Sequence, residues 1–76
     1  MTNRDVMKAF ANREKARTRN LHATNEQTLV NYTTPIAWWE NGTCYVTTKK
    51  YSATTSKIQT QLKDELAQKN IAYLEV

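Results

Sequence analysis

The spacing of apolar residues changes several times along this chain, and each change predicts an element. From Asn3 to about Arg17, Val6, Met7 and Phe10 recur at helical spacing, with Ala9, Ala11 and Ala16 between them. That period predicts a first helix. Asn3 would be its N-cap, and Asp5 in the first turn would suit the positive end of the helix dipole. The apolar stripe fades after Phe10, and the segment from Arg13 to Arg19 reads as a cationic last turn.

Beyond it, Asn20 to Thr24 reads as a short strand or a loop, and Gln27 to Tyr32 as a strand carrying Leu29, Val30 and Tyr32. Ile36 to Glu40 and Thr43 to Thr48 then flank Asn41-Gly42. Asn-Gly between two strand-like runs predicts a tight hairpin, because the turn needs positive φ at both central residues. The turn sets the register: Glu40 faces Thr43, Trp39 faces Cys44, Trp38 faces Tyr45 and Ala37 faces Val46. Side chains alternate across a sheet, so Ile36, Trp38 and Tyr45 are expected on one face. Ala37, Trp39, Cys44 and Val46 are expected on the other. Helices cover only one face of a small antiparallel sheet. Trp39, with its small neighbours, is therefore read as the core residue and Trp38 as the more exposed one.

After Tyr51 the period returns to helical, with Ile58, Leu62 and Leu66 at i, i+4 and i+8. Ser56 and Gln59 have capping-box form, and Lys69-Asn70 is a C-terminal signal because Asn tolerates the left-handed cap. Ile71 to Val76 alternates and reads as a closing strand. The expected fold is thus one α+β domain over residues 1–76. It has a small antiparallel sheet of three to five strands with two helices on one face, in the order α-β-β-β(-β)-α-β.

Composition narrows the function. At 76 residues the core is one thin layer, without room for a deep enclosed pocket. No stretch approaches the roughly 20 apolar residues of a membrane-spanning helix, and Met1 to Asp5 lacks the apolar run of a secretory signal. The lone Cys44 has no intrachain disulfide partner. A reducing cytoplasm without membrane attachment is the expected setting.

Catalytic apparatus is sparse. His22 and Cys44 are the only residues of their kinds, so a Cys–His nucleophilic pair would have to be these two. A zinc site needs about four such ligands, and one glycine makes no phosphate loop. The expectation is a non-enzymatic protein that needs no cofactor.

Charge suggests where a partner binds. The net charge is +4, and residues 1–20 hold six basic side chains against two acidic ones. Arg13, Lys15, Arg17 and Arg19, with Lys49, Lys50 and Lys57, are candidate phosphate contacts. Ser52, Thr54 and Thr55 add hydroxyls at the start of the second helix, where free N–H groups favour anions. The element order resembles that of the double-stranded-RNA-binding domain, which carries a basic motif at that point. The Gly-rich approach and the tight Lys-Lys-x-Ala-Lys run of that domain are missing.

Two stretches carry a second resemblance: Tyr32-Thr33-Thr34-Pro35-Ile36-Ala37, and Lys50 to Gln59 with its Tyr-Ser-x-Thr-Thr-Ser-Lys core. Across residues 28–66 or so, the chain resembles a small, largely uncharacterised family encoded by phages and other mobile elements of low-GC Gram-positive bacteria. That family has no assigned activity, so the resemblance implies a phage or prophage setting and no functional residues. Small phage proteins commonly dock on host enzymes. The first functional expectation is therefore docking on a host protein through Trp38, Tyr45 and Ile36, since exposed aromatics mark interfaces. The alternative is nucleic-acid binding through the basic first helix and the Lys49–Lys57 region. A second copy of the chain, paired at an uncovered face or edge, is a further candidate partner.

Overall fold

The computed structural model describes all 76 residues. The chain forms α1 (Asn3–Ala11), β1 (Ala16–Arg17), β2 (Leu21–Ala23), β3 (Thr28–Asn31), β4 (Thr34–Glu40), β5 (Thr43–Val46), α2 (Ala53–Gln68) and β6 (Tyr73–Glu75). The fold is α+β, but the expected sheet of three to five antiparallel strands is corrected. Six strands form one mixed sheet in chain order, and β6 runs parallel to β5 after a crossover through α2.

The sixth strand comes from an early end to α1. The helix starts at Thr2, not Asn3: the Thr2 hydroxyl accepts from the Asp5 N–H while the Asp5 carboxylate accepts from the Thr2 N–H. These bonds hold the Asp5 carboxyl below the usual carboxylate range. Instead of continuing to Arg17, the helix stops where Arg13 takes φ +60°. Its N–H bonds the Phe10 carbonyl, and the Glu14 N–H bonds the Ala9 carbonyl. This is a Schellman cap with arginine where glycine is usual. The freed residues 16–17 then pair with β2.

The second helix closes in the same way. Asn70 at φ +58° donates to the Ala67 carbonyl, and Ile71 to that of Leu66. Asn70 thus makes the left-handed cap its side chain suggests. At the other end the expected Ser56–Gln59 box is replaced. Ser52 is the N-cap, accepting from the Thr55 N–H, and the Gln59 amide donates to the carbonyls of Thr47 and Lys49.

The Asn41-Gly42 hairpin has the expected register, with φ +52° and +80° at its two turn residues. β4 departs from simple alternation further on. Leu29 pairs with Ala37 but Val30 pairs with Pro35, so Ile36 is an extra residue, a β-bulge. Ile36 and Ala37 therefore both turn inward and are fully buried. The placement of Ile36 beside Trp38 is corrected on this ground.

Both helices pack on one face. Val6, Met7, Phe10, Ile58, Leu62 and Leu66 share a single cluster with Leu21, Leu29, Ile36, Cys44 and Val46. Trp39 lies against this core, 6.2 Å from Phe10 between ring centroids, and its indole N–H donates to the Phe10 carbonyl at 2.9 Å. Arg4 ties the helices together through Asp64 (3.3 Å) and Glu65 (2.9 Å). Buried Asn31 accepts from the Thr55 hydroxyl at 2.8 Å and donates to the Asn20 carbonyl at 2.8 Å. It thereby joins α2 to β3 and to the β1–β2 turn.

Two substitutions test this account. Gly42→Val meets no atom within 4 Å, so its cost is backbone strain at positive φ, about 1–3 kcal/mol, read as a lowered melting temperature. Thr55→Val leaves the Asn31 oxygen buried and unpartnered. It should lower stability by about 1–3 kcal/mol in urea titrations, while Thr55→Ser stays near wild type.

Candidate functional site

With both helices on one side, the other face of the sheet has no covering layer. Alternation places its residues. On β1 and β2 the residues opposite buried Leu21 and Ala23 are Arg17 and His22, which pair directly. One step further along the same register, Lys15 lies opposite Thr24. The Thr24 N–H bonds the Thr28 carbonyl, Thr28 pairs with Trp38, Trp38 with Tyr45, and Tyr45 with Leu74. A row therefore runs from Lys15, just before β1, to Leu74 on β6, with Arg17, His22, Val30 and Pro35 in the neighbouring row.

The two ends of this face differ chemically. Towards β5 and β6, the Trp38 and Tyr45 rings stack at 6.2 Å with planes 19° apart, beside Leu74, which is 54 % exposed. Towards β1 and β2 lies a cavity of about 520 Å³, lined by Lys15, Arg17, His22, Thr24, Asn25 and Glu26 with Ala16 at its wall. From the β1 edge, next to Lys15, to Trp38 on β4 is three strand spacings, about 14–15 Å. One face thus presents an aromatic platform and a cationic recess at a fixed separation.

The candidate residues divide accordingly. Trp38 and Tyr45 lie together on the open face, and Ile36 is in the core. Lys15 and Arg17 join the aromatic pair, which places one supposed helical cation on β1 and the other just before it. Arg13 lies over the Trp39 ring at 4.2 Å, a cation–π contact that completes the cap of α1. Arg19 is exposed in the β1–β2 turn. The expectation of a basic first helix reaching to Arg17 is corrected, because α1 ends at Ala11.

Lys49 and Lys50 lie on the link from β5 to α2, and Thr54 and Lys57 are exposed on the first turn of α2. Ser52 and Thr55 are occupied by capping and by Asn31. Most of this second cluster belongs to the helix layer, away from the aromatic platform. His22, weighed in sequence only as a catalytic partner of Cys44, and Thr24, Asn25, Glu26, Thr28 and Leu74 were not read as members of this face. The only signal for the first of these was the inward-outward-inward pattern of Leu21-His22-Ala23, three residues long.

Cys44 is fully buried on the helix side, while His22 is on the open side, so the two do not form a nucleophilic pair. Burial pushes the Cys44 thiol up to about 11.

These features define a two-layer α+β domain, two helices beneath a six-stranded sheet whose other face is bare. The chain belongs to a family of unknown function, DUF8033, whose model matches residues 3–75. No curated protein and no solved structure matches it. No helix is long and apolar enough to cross a membrane.

The raised thiol gives a pH prediction. The folded state holds the Cys44 proton more tightly than the unfolded chain, so its stabilising effect is complete below about 9 and is lost as pH rises towards about 11. Alkaline melts should show that loss, Cys44→Ala should flatten it, and maleimide should label Cys44 at neutral pH only on unfolding.

Proposed function

We propose that this chain is a non-enzymatic binding protein that holds single-stranded nucleic acid across the open face of its sheet. The carrying observation is the row that joins Lys15 and Arg17 to the stacked Trp38–Tyr45 pair. Single strands are bound by a cationic track for phosphates and aromatic faces for bases. Here both lie on one face of one sheet. The threonines of the row, Thr24 and Thr28, add hydroxyl donors that suit any base. Several other cations have partners: Arg4 and Lys63 form ion pairs and Arg13 covers Trp39. Lys15 and Arg17 have no ion pair, and so can neutralise phosphate.

Docking on a protein is the second reading. Leu74 and Val76, each 54 % exposed, extend the aromatic pair towards the β6 edge, and Trp, Tyr and Arg are common interface anchors. The phage or mobile-element setting implied by the sequence resemblance would supply a host protein in the cytoplasm as partner.

Tryptophan fluorescence during titration with short RNA and DNA oligonucleotides separates the readings. Binding that quenches Trp38, weakens steeply with salt and falls by about tenfold or more in Trp38→Ala supports the first, since base stacking contributes about 1–3 kcal/mol per base. Trp38→Ala should keep its fold because that ring is outside the core cluster. No binding to any oligonucleotide at low salt overturns it. Nuclease-resistant capture of a protein, lost in Trp38→Ala, would support the second.

A further inference from the structure

The recess at the β1–β2 edge has a composition that nucleic-acid stacking alone does not require. It is the larger cavity of the molecule, and its wall carries one apolar residue, Ala16, among six polar ones. Arg17 is on the edge strand β1 and Lys15 just precedes it, and both are exposed. Across from them, register places His22 beside Arg17 and Thr24 beside Lys15. Two cations, an imidazole, a hydroxyl and the Asn25 amide therefore surround one volume. None of the basic groups has an ion-pair partner, although Glu26 is in the same wall. A cation pair with surrounding donors fits an oxyanion with several oxygens, and Arg in particular holds phosphate through two parallel N–H bonds.

We infer that this recess is a phosphate-monoester site, which receives the phosphorylated end of the strand lying on Trp38 and Tyr45. The identity of the ligand as a nucleic-acid end rests on the function proposed above; the anion site itself does not. Two observations favour an end over an internal diester. β1 is the last strand of the sheet, so the row of contacts stops there. A monoester carries up to two negative charges, which match Lys15 and Arg17 better than the single charge of a diester. At about 520 Å³ the recess also exceeds a bare phosphate and is within the range of sites for nucleotide-sized ligands. Glu26 repels the phosphate and limits how tightly a simple anion binds, so its removal should tighten anion binding.

The test uses the full chain and tetranucleotides of one sequence carrying a 5′-phosphate, a 3′-phosphate or neither, with inorganic phosphate as competitor. One phosphorylated form should bind at least about tenfold tighter than the form with neither, the scale of a charge-assisted contact. Inorganic phosphate should erase that advantage only. Arg17→Ala and Lys15→Ala should weaken the phosphorylated oligonucleotide at least about tenfold more than the unphosphorylated one, so that the difference between them disappears, and Glu26→Gln should enlarge it. Equal affinity for all three oligonucleotides, or an Arg17→Ala loss that is the same for each, overturns the inference. If the unphosphorylated oligonucleotide fails to bind while inorganic phosphate shifts the His22 resonances of wild type and not those of Arg17→Ala, the anion site stands and the nucleic-acid reading falls.

Discussion

One inserted residue in β4 decides what each face of the sheet carries. The Asn41-Gly42 turn sets the phase of the strand from one end, sending Trp39 inward and Trp38 outward. Carried without interruption, that phase would push Ile36 out beside Trp38 and draw Pro35 into the core. The bulge absorbs the conflict: Ile36 turns inward with Ala37, and Pro35 stays outside opposite Val30. A fully buried isoleucine is worth about 2–3 kcal/mol to a core this thin. The same adjustment leaves Val30 and Pro35, in place of Ile36, as the aromatic pair's neighbours in the adjacent row.

The positive charge of the chain is divided between two uses. Arg4 bridges the helices, Arg13 covers Trp39 over a cap that usually needs glycine, and Lys63 pairs with Glu75 on β6. These groups hold elements together. Lys15, Arg17 and Arg19, in the next few residues of the chain, make no such contacts. A single basic stretch in sequence is thus partly scaffold and partly open surface, and the change occurs at the left-handed turn of Arg13.

That division explains what was legible beforehand. The hairpin register, the Ile58–Leu62–Leu66 stripe and the Asn70 cap each rest on local chemistry within a few residues, and each could be read directly. The early end of α1 could not, because arginine at a left-handed cap has no sequence signature and its support is Trp39, 26 positions away. Nor could the bulge, which is set by the pairing of β4 with both neighbours. The parallel docking of β6 depends on a long crossover. Of the candidate site, the aromatic half was visible through the turn register. The cationic half was assigned to a helix because two-residue β1 is too short to show a period of two.

The path of the chain through the sheet also bears on how it assembles. Strands β1 to β5 follow one another as a meander, each pairing only with its sequence neighbours. The contacts that join distant parts are fewer: α1 against α2, and β6 beside β5. Loop closure between near neighbours costs little entropy, so the meander can organise early, and the α2–β6 segment must close over it afterwards. The open face belongs almost wholly to the early part, while the layer that buries its reverse arrives late. In native-state hydrogen exchange, β6 would then open at lower free energy than the central strands, detaching one edge of the sheet without disturbing the opposite one.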